Sequence, residues 1–282
     1  MSTQTYEAET FRKLQPQEYL RKFLLKEVRP DGRELKQFRQ TTVNLGCIST
    51  TNGSSLVRIG NTTVVCGIKA EVSVPKQTST KEGYLVPNVE LSPMCSPKFK
   101  PGPPSEHAQV LSENINRLLK SASILDLNTL CIHEGSAVWV LYADIVCVNY
   151  DGNVFDACVI GLITALSNVK LPKATFAEEE GLVKATEELL IPLNLSRLPY
   201  PATFSIFDGQ YLLVDPTEVE ESVAHEVITI ICDEAGQICT VWKVGGISCT
   251  PKHLEKCISI ARERYIEIAA IVENEEKSNN LI

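Results

Sequence analysis

The stretch Ala137-Val-Trp-Val-Leu-Tyr-Ala-Asp-Ile-Val-Cys-Val-Asn149 constrains the fold more than any other. It is apolar on both alternating faces, as in a strand covered on two sides. A turn, Tyr150-Asp-Gly-Asn153, separates it from Ala157 to Val169, which is apolar nearly all round and carries the small residues Ala157, Gly161 and Ala165. A helix with no polar face has to be buried. Strand and helix together demand a layered architecture. A chain of 282 residues, 44% hydrophobic and 22% charged, supplies the apolar surface for it.

Around this centre the chain reads as two similar halves. Tyr19, Leu20, Phe23, Leu24 and Val28 fall at helical spacing behind Pro16, which predicts a helix over 16–28 that stops at Arg29-Pro30. Leu56 to Ile59 and Thr62 to Ile68 flank Gly60-Asn61 as a β-hairpin. Tyr84 to Pro104 holds six prolines, which fits an extended loop or an edge. Leu111, Ile115, Leu118, Leu119 and Ala122 make one helical stripe. Pro172 to Glu188 is charged and shows no clear period. The pattern then begins again: a hairpin on Asp208-Gly209, a second on Asp233 to Gly236, and a helix capped by Thr250-Pro251 whose stripe runs from Leu254 to Val272. The expectation is an α+β fold of duplicated β-sheet and helix halves. Its parts are an N-terminal helical segment, 1–28, a first half, 29–172, a second half, 198–272, and a polar, frayed tail, 273–282.

Charge and cysteine usage narrow the function. With 27 Lys+Arg against 35 Asp+Glu, a net charge of -8 is the opposite of a nucleic-acid footprint, so any RNA contact must be local. The acidic runs Glu178 to Glu180, Glu187-Glu188, Glu218 with Glu220 and Glu221, and Glu273 to Glu276 read as solvated surface. Ten cysteines, most in apolar runs and without a Cys-x-x-Cys pair, read as reduced core residues of a cytosolic or nuclear protein. No signal peptide or membrane span is expected. The four histidines have no partners at metal spacing, no Gly-x-Ser-x-Gly elbow occurs, and Gly245-Gly246 lacks the lysine of a phosphate loop.

Two motifs in order are distinctive: Arg29-Pro-Asp-Gly-Arg33, and Gly53-Ser-Ser-Leu-Val-Arg-Ile-Gly-Asn-Thr-Thr-Val64. Ahead of the apolar strand and buried helix they resemble the opening of the RNase PH family, phosphorolytic exoribonucleases, over residues 29 to 265. In active members the strand-to-helix turn carries Gly-Gly-Thr-Arg-Thr-Ala, whose side chains and helix N-terminus hold phosphate. Here it reads Gly152-Asn-Val-Phe-Asp-Ala157, so Val154 and Phe155 mark a degenerate phosphate site and Asp156 would repel an anion. Of the family's Asp-x-Asp-x-x-x-Asp carboxylates, Leu213-Val-Asp-Pro-Thr-Glu-Val219 keeps only Asp215. A relict metal site, with Glu220 or Glu221 brought beside Asp215, stays open at this point.

Asn44-Leu-Gly46, Gly83-Tyr-Leu-Val-Pro-Asn-Val89, Leu141-Tyr-Ala-Asp144 and Val214-Asp-Pro-Thr217 are similar to the inactive PH-like branch of the eukaryotic exosome. That resemblance implies no catalytic residue, metal or cofactor. It implies a hexameric ring of PH-like subunits, RNA-binding cap subunits above it, RNA passing through the complex, rRNA processing and RNA degradation, and residence in nucleus, nucleolus and cytoplasm. It also implies that the loop around Lys98, Phe99 and Lys100 meets RNA: lysines on phosphate, Phe99 stacking on a base. The competing expectations are a soluble loop at Lys98 and Lys100, a residual phosphate- or metal-dependent 3′-5′ exoribonuclease, and a stand-alone RNA-binding module.

Overall fold

The structure, a computed structural model, describes residues 10–177, 182–246 and 249–279. Helix α1 spans Pro16–Leu24, with Leu20 and Leu24 on its buried face. It ends one turn before the predicted Val28. Lys26 and Glu27 close the last turn onto Phe23 and Leu24, Glu27 takes a positive φ, and Val28 pairs instead with Glu34 across the Pro30–Gly32 turn.

The first sheet runs β1(Thr41–Leu45)-β2(Gly53–Ile59)-β3(Thr62–Ser73)-β6(Ala137–Asn149)-β4(Tyr84–Leu91), and β5(Cys131–His133) pairs with the start of β6. Gly60, at φ 57, makes the β2–β3 turn. β4 is parallel to β6, which a tight hairpin cannot connect. The crossover is α2(Glu106–Ala122), with Ser105 Oγ accepting from the Ala108 N–H at 3.2 Å. β4, which carries Pro87, lies at the sheet edge, where a missing N–H is tolerated, and the other five prolines of the stretch follow it. β6 is covered on both faces only as far as Leu141; beyond it Tyr142, Asp144 and Val148 face solvent.

The second sheet runs β10(Tyr211–Val214)-β9(Tyr200–Phe207)-β11(Glu226–Cys232)-β12(Ile238–Val244). α3(Val154–Ser167) packs on β2 and β3 of one sheet and β9 of the other. α5(Pro251–Asn279) packs on β1 and on β9 and β11. Two sheets therefore enclose two helices, which explains the all-round burial of α3 from Ala157 to Leu166. α5 runs on to Asn279, into the segment expected to fray, and the Glu273–Lys277 pair and Ser278 Oγ bonding to Asn274 O keep these turns regular. Lys170–Ala177 and Leu182–Pro192 form a separate hairpin, β7–β8, where no element was expected; Glu178 to Glu180 lie outside the described residues. All ten cysteines are free thiols, and burial pushes those of Cys66, Cys147 and Cys158 well up.

Candidate functional site

The turn Asp151–Asn153 delivers β6 into α3 through two residues of positive φ, Gly152 and Asn153. A Cβ on Gly152 would strike the backbone of Thr217 and Glu218, so the loop after β10 is pressed against this turn. That loop begins α4(Glu218–Val223), closed by a capping box in which Glu220 accepts from the Thr217 N–H at 2.8 Å. The packing carries α4's acids inward. Glu220 is 2% exposed, and Glu221 Oε1 accepts the Asn153 backbone N–H at 2.7 Å. The solvated-surface reading of these two residues is therefore wrong; a Thr-x-x-Glu cap beside a glycine-dependent turn was the available signal.

The N-terminus of α3 is the place where a bound anion would be favoured. Here the chain's own carboxylate, Glu221, lies there. Val154 is buried in the core and Phe155 turns onto Trp242, ring centroids 5.0 Å apart, so neither presents a polar group. Asp156 points toward the second sheet, accepting from Thr203 Oγ1 at 2.7 Å, the Thr203 N–H at 3.0 Å and Asn153 Nδ2 at 2.9 Å. Burial pushes Asp156 up to about 6 and Glu221 up to about 7.

Asp215, fully buried, is held differently. Its Oδ1 accepts from Arg39 Nη2 and Asn153 Nδ2, both at 2.7 Å, and its Oδ2 from Arg39 N and Nε, both at 2.9 Å. Burial alone would raise this carboxyl, but the Arg39 guanidinium overrides it and holds it at about 2. Arg33 Nη1 lies 3.4 Å from the same Oδ2. Arg29, also fully buried, pairs with Glu220 and donates to Val214 O at 2.6 Å and Asp215 O at 3.1 Å. Arg29 and Arg33 of the first motif, with Arg39, form an arginine clamp. Its partners lie far along the chain, which local reading does not reach.

The clamp occupies the place left open for a relict metal site. Both Asp215 oxygens are committed to donors, Glu220 is committed to Arg29, and a cation there would face guanidinium groups. Among the described residues no three His, Cys, Asp or Glu side chains group as metal ligands.

The Pro-rich loop divides in two. Phe99 is 6% exposed, edge-on to Tyr150 at 5.3 Å and stacked on His107 at 6.3 Å, so it anchors the loop to the core and is not free to stack on a base. Lys98 and Lys100 are exposed. Lys98 Nζ lies 3.8 Å from the Glu218 carboxylate and 5.5 Å from the Tyr150 ring.

This arrangement of sheets and helices has known counterparts. The 3′ exoribonuclease family (RNase PH) matches with its domain 1 over residues 37–172 and its domain 2 over residues 198–264, and the chain belongs to that family. Exosome complex component rrp43 of Schizosaccharomyces pombe is 45% identical over 255 residues, 90% of this chain and 94% of that one. Exosome complex component Rrp42 of Methanopyrus kandleri is 41% identical, covering 86% of this chain and 90% of its own. A subunit of the Archaeoglobus fulgidus exosome, solved with RNA bound to the active site, superposes with a TM-score of 0.79 at 31% identity, covering 90% of this chain and 96% of that one.

Proposed function

We propose that the chain is a non-catalytic structural subunit of an exosome core ring, a counterpart of the fission-yeast component rrp43. It takes its place among PH-like subunits in a hexameric ring beneath RNA-binding cap subunits and supports 3′-to-5′ RNA processing, including rRNA maturation, in nucleus, nucleolus and cytoplasm. One observation carries the reading: the N-terminus of α3, where a phosphorolytic enzyme needs an open anion site, is taken by Glu221 on the Asn153 N–H at 2.7 Å. Without bound phosphate phosphorolysis has no nucleophile, and Asp215, the one family carboxylate kept in the sequence, is held by Arg39. Against the residual-nuclease alternative stand Val154 and Phe155, which offer no polar side chain to an anion, and the Glu221 contact with the Asn153 N–H. The stand-alone RNA-binding module fits poorly with a net charge of -8. Lys98 and Lys100 supply a local RNA contact once the ring is assembled, and the chain's organisation is the sequence division into 1–28, 29–172, 198–272 and 273–282.

Co-expression with the other PH-like subunits tests the reading. The chain should enter a defined complex whose melting transition lies above its own, since binding to the folded state stabilises it. Neither chain nor complex should gain phosphate-dependent nuclease activity from it. A stable monomer that ignores those subunits, or phosphate-dependent release of nucleoside diphosphates co-eluting with the isolated chain, would overturn the proposal.

A further inference from the structure

A β-sheet ends in strands whose outer backbone groups are unpaired, and folded chains shield such edges from other chains. Of the four strands that end the two large sheets, three are shielded. β1 is only five residues long and packs against α5. β4 carries Pro87, and its Val89 N–H donates to Ser112 Oγ of α2 at 2.9 Å. β10 is four residues long, and its Val214 N–H donates to Leu35 O at 3.2 Å.

β12 is the exception. Its sequence, Ile238-Cys-Thr-Val-Trp-Lys-Val244, holds no proline or glycine. Its register on β11 slips once, opposite Cys232, and runs regularly from Thr240 to Val244. A lysine on an edge usually wards off other strands. Here Lys243, the one charged residue of β12, is drawn back onto its own chain: Nζ donates to Gly245 O at 2.9 Å and lies 3.8 Å from the Glu226 carboxylate. The side chains along the strand are apolar and open, with Val244 72%, Val241 43% and Ile238 40% exposed. Val110 of α2, 50% exposed, lines one hollow with Val244 and Trp242, so the apolar surface continues off the strand.

Seven residues give an edge about 24 Å long, on which alternate residues turn N–H and C=O away from β11. An edge this long and apolar pairs with whatever strand it meets. A partner that came and went would leave it bare between encounters, whereas one that stays makes shielding unnecessary. The occupant it fits is an extended segment with apolar residues at alternate positions, held by main-chain hydrogen bonds.

We propose that β12 is completed by a strand of a neighbouring PH-like subunit, so that the second sheet continues from one protein into the next. The inference rests on the ring-subunit reading, which by itself says nothing of where a neighbour is held.

The test follows hydrogen–deuterium exchange of the segment Ile238–Val244 in the isolated full chain and in the complex co-expressed with the other PH-like subunits. In the isolated chain the amides that face away from β11 should exchange as exposed groups do, and in the complex they should exchange at least tenfold more slowly. Val241→Lys with Val244→Lys supplies an independent arm. Both side chains are exposed, so the isolated variant should melt as the parent does, while its yield in the complex should fall at least tenfold. Exchange over Ile238–Val244 that is unchanged in an assembled complex would overturn the proposal and leave the ring reading standing, as would normal assembly of the lysine variant. Protection that appears in the isolated chain and grows with its concentration would give the edge to a second copy and overturn it too. Failure of the parent to assemble at all would sink the ring reading and this inference with it.

Discussion

Asp215 and Glu221 share one loop and titrate in opposite directions. Glu221, at about 7, and Asp156, at about 6, are raised by burial, so the folded chain binds more protons than the unfolded chain between roughly pH 4 and 7. Their contribution to stability is therefore present at low pH and is lost as pH rises through that window. Asp215, at about 2, contributes above roughly pH 4 and is lost as pH falls toward 2. His107, lowered by burial, works against the first pair below its own ordinary range, and Arg39, Lys98 and Tyr150 also act on Glu221 or are acted on by it. Comparison of the parent with Glu221→Gln removes the shared contributions. Urea denaturation should show the parent losing on the order of 1 to 3 kcal/mol between pH 5 and pH 8 relative to the variant. A parent that gains over the variant in that interval would refute the assignment. At the clamp, Arg29→Met removes the main partner of the buried Glu220 carboxylate and should cost about 3–5 kcal/mol in the same measurement, while Arg29→Met with Glu220→Gln, which removes the charge and keeps an acceptor for the Thr217 N–H, should recover part of it. No recovery would mean that Arg29 acts chiefly through the Val214 and Asp215 carbonyls. The sequence alone could not reveal these pairings, because what decides them is the packing of Thr217 and Glu218 against Gly152.

At the scale of elements, legibility followed burial contrast. β6 and α3 were readable because their apolar runs have no other home, and α5 because its stripe is long. β7 and β8 were missed because β7 buries only Leu171 fully, so its alternation of apolar and polar residues is too weak to signal a strand. The Pro-rich loop was half legible: its lysines are exposed as expected, but Phe99 anchors it to Tyr150 and His107. An anchored loop holds Lys98 and Lys100 in fixed places, which suits them to phosphate contacts and makes them testable as a pair. Lys98→Glu with Lys100→Glu in the reconstituted complex, measured over a salt series, should weaken RNA binding and make its salt dependence shallower by roughly 0.7 per lost contact. Unchanged affinity and slope would leave the two lysines as solubilising residues.

The whole molecule is two sheets closed over α3 and α5, with the N-terminal arginines fastened to the loop of the second half. The duplication was legible from the repeated order of hairpins and helix, and family membership followed from residues that fix turns and strands. The chemistry of the site was legible only as loss, in Val154 and Phe155; what replaced it, Glu221 from the other half, depends on tertiary packing. The account's central claim is that this chain has filled its own anion site. A titration of inorganic phosphate, followed by the broadening of its ³¹P resonance and by calorimetry, tests that claim most directly. The full chain should give no saturable binding at millimolar phosphate, with or without Mg²⁺. Saturable phosphate binding that sulfate competes away would contradict it.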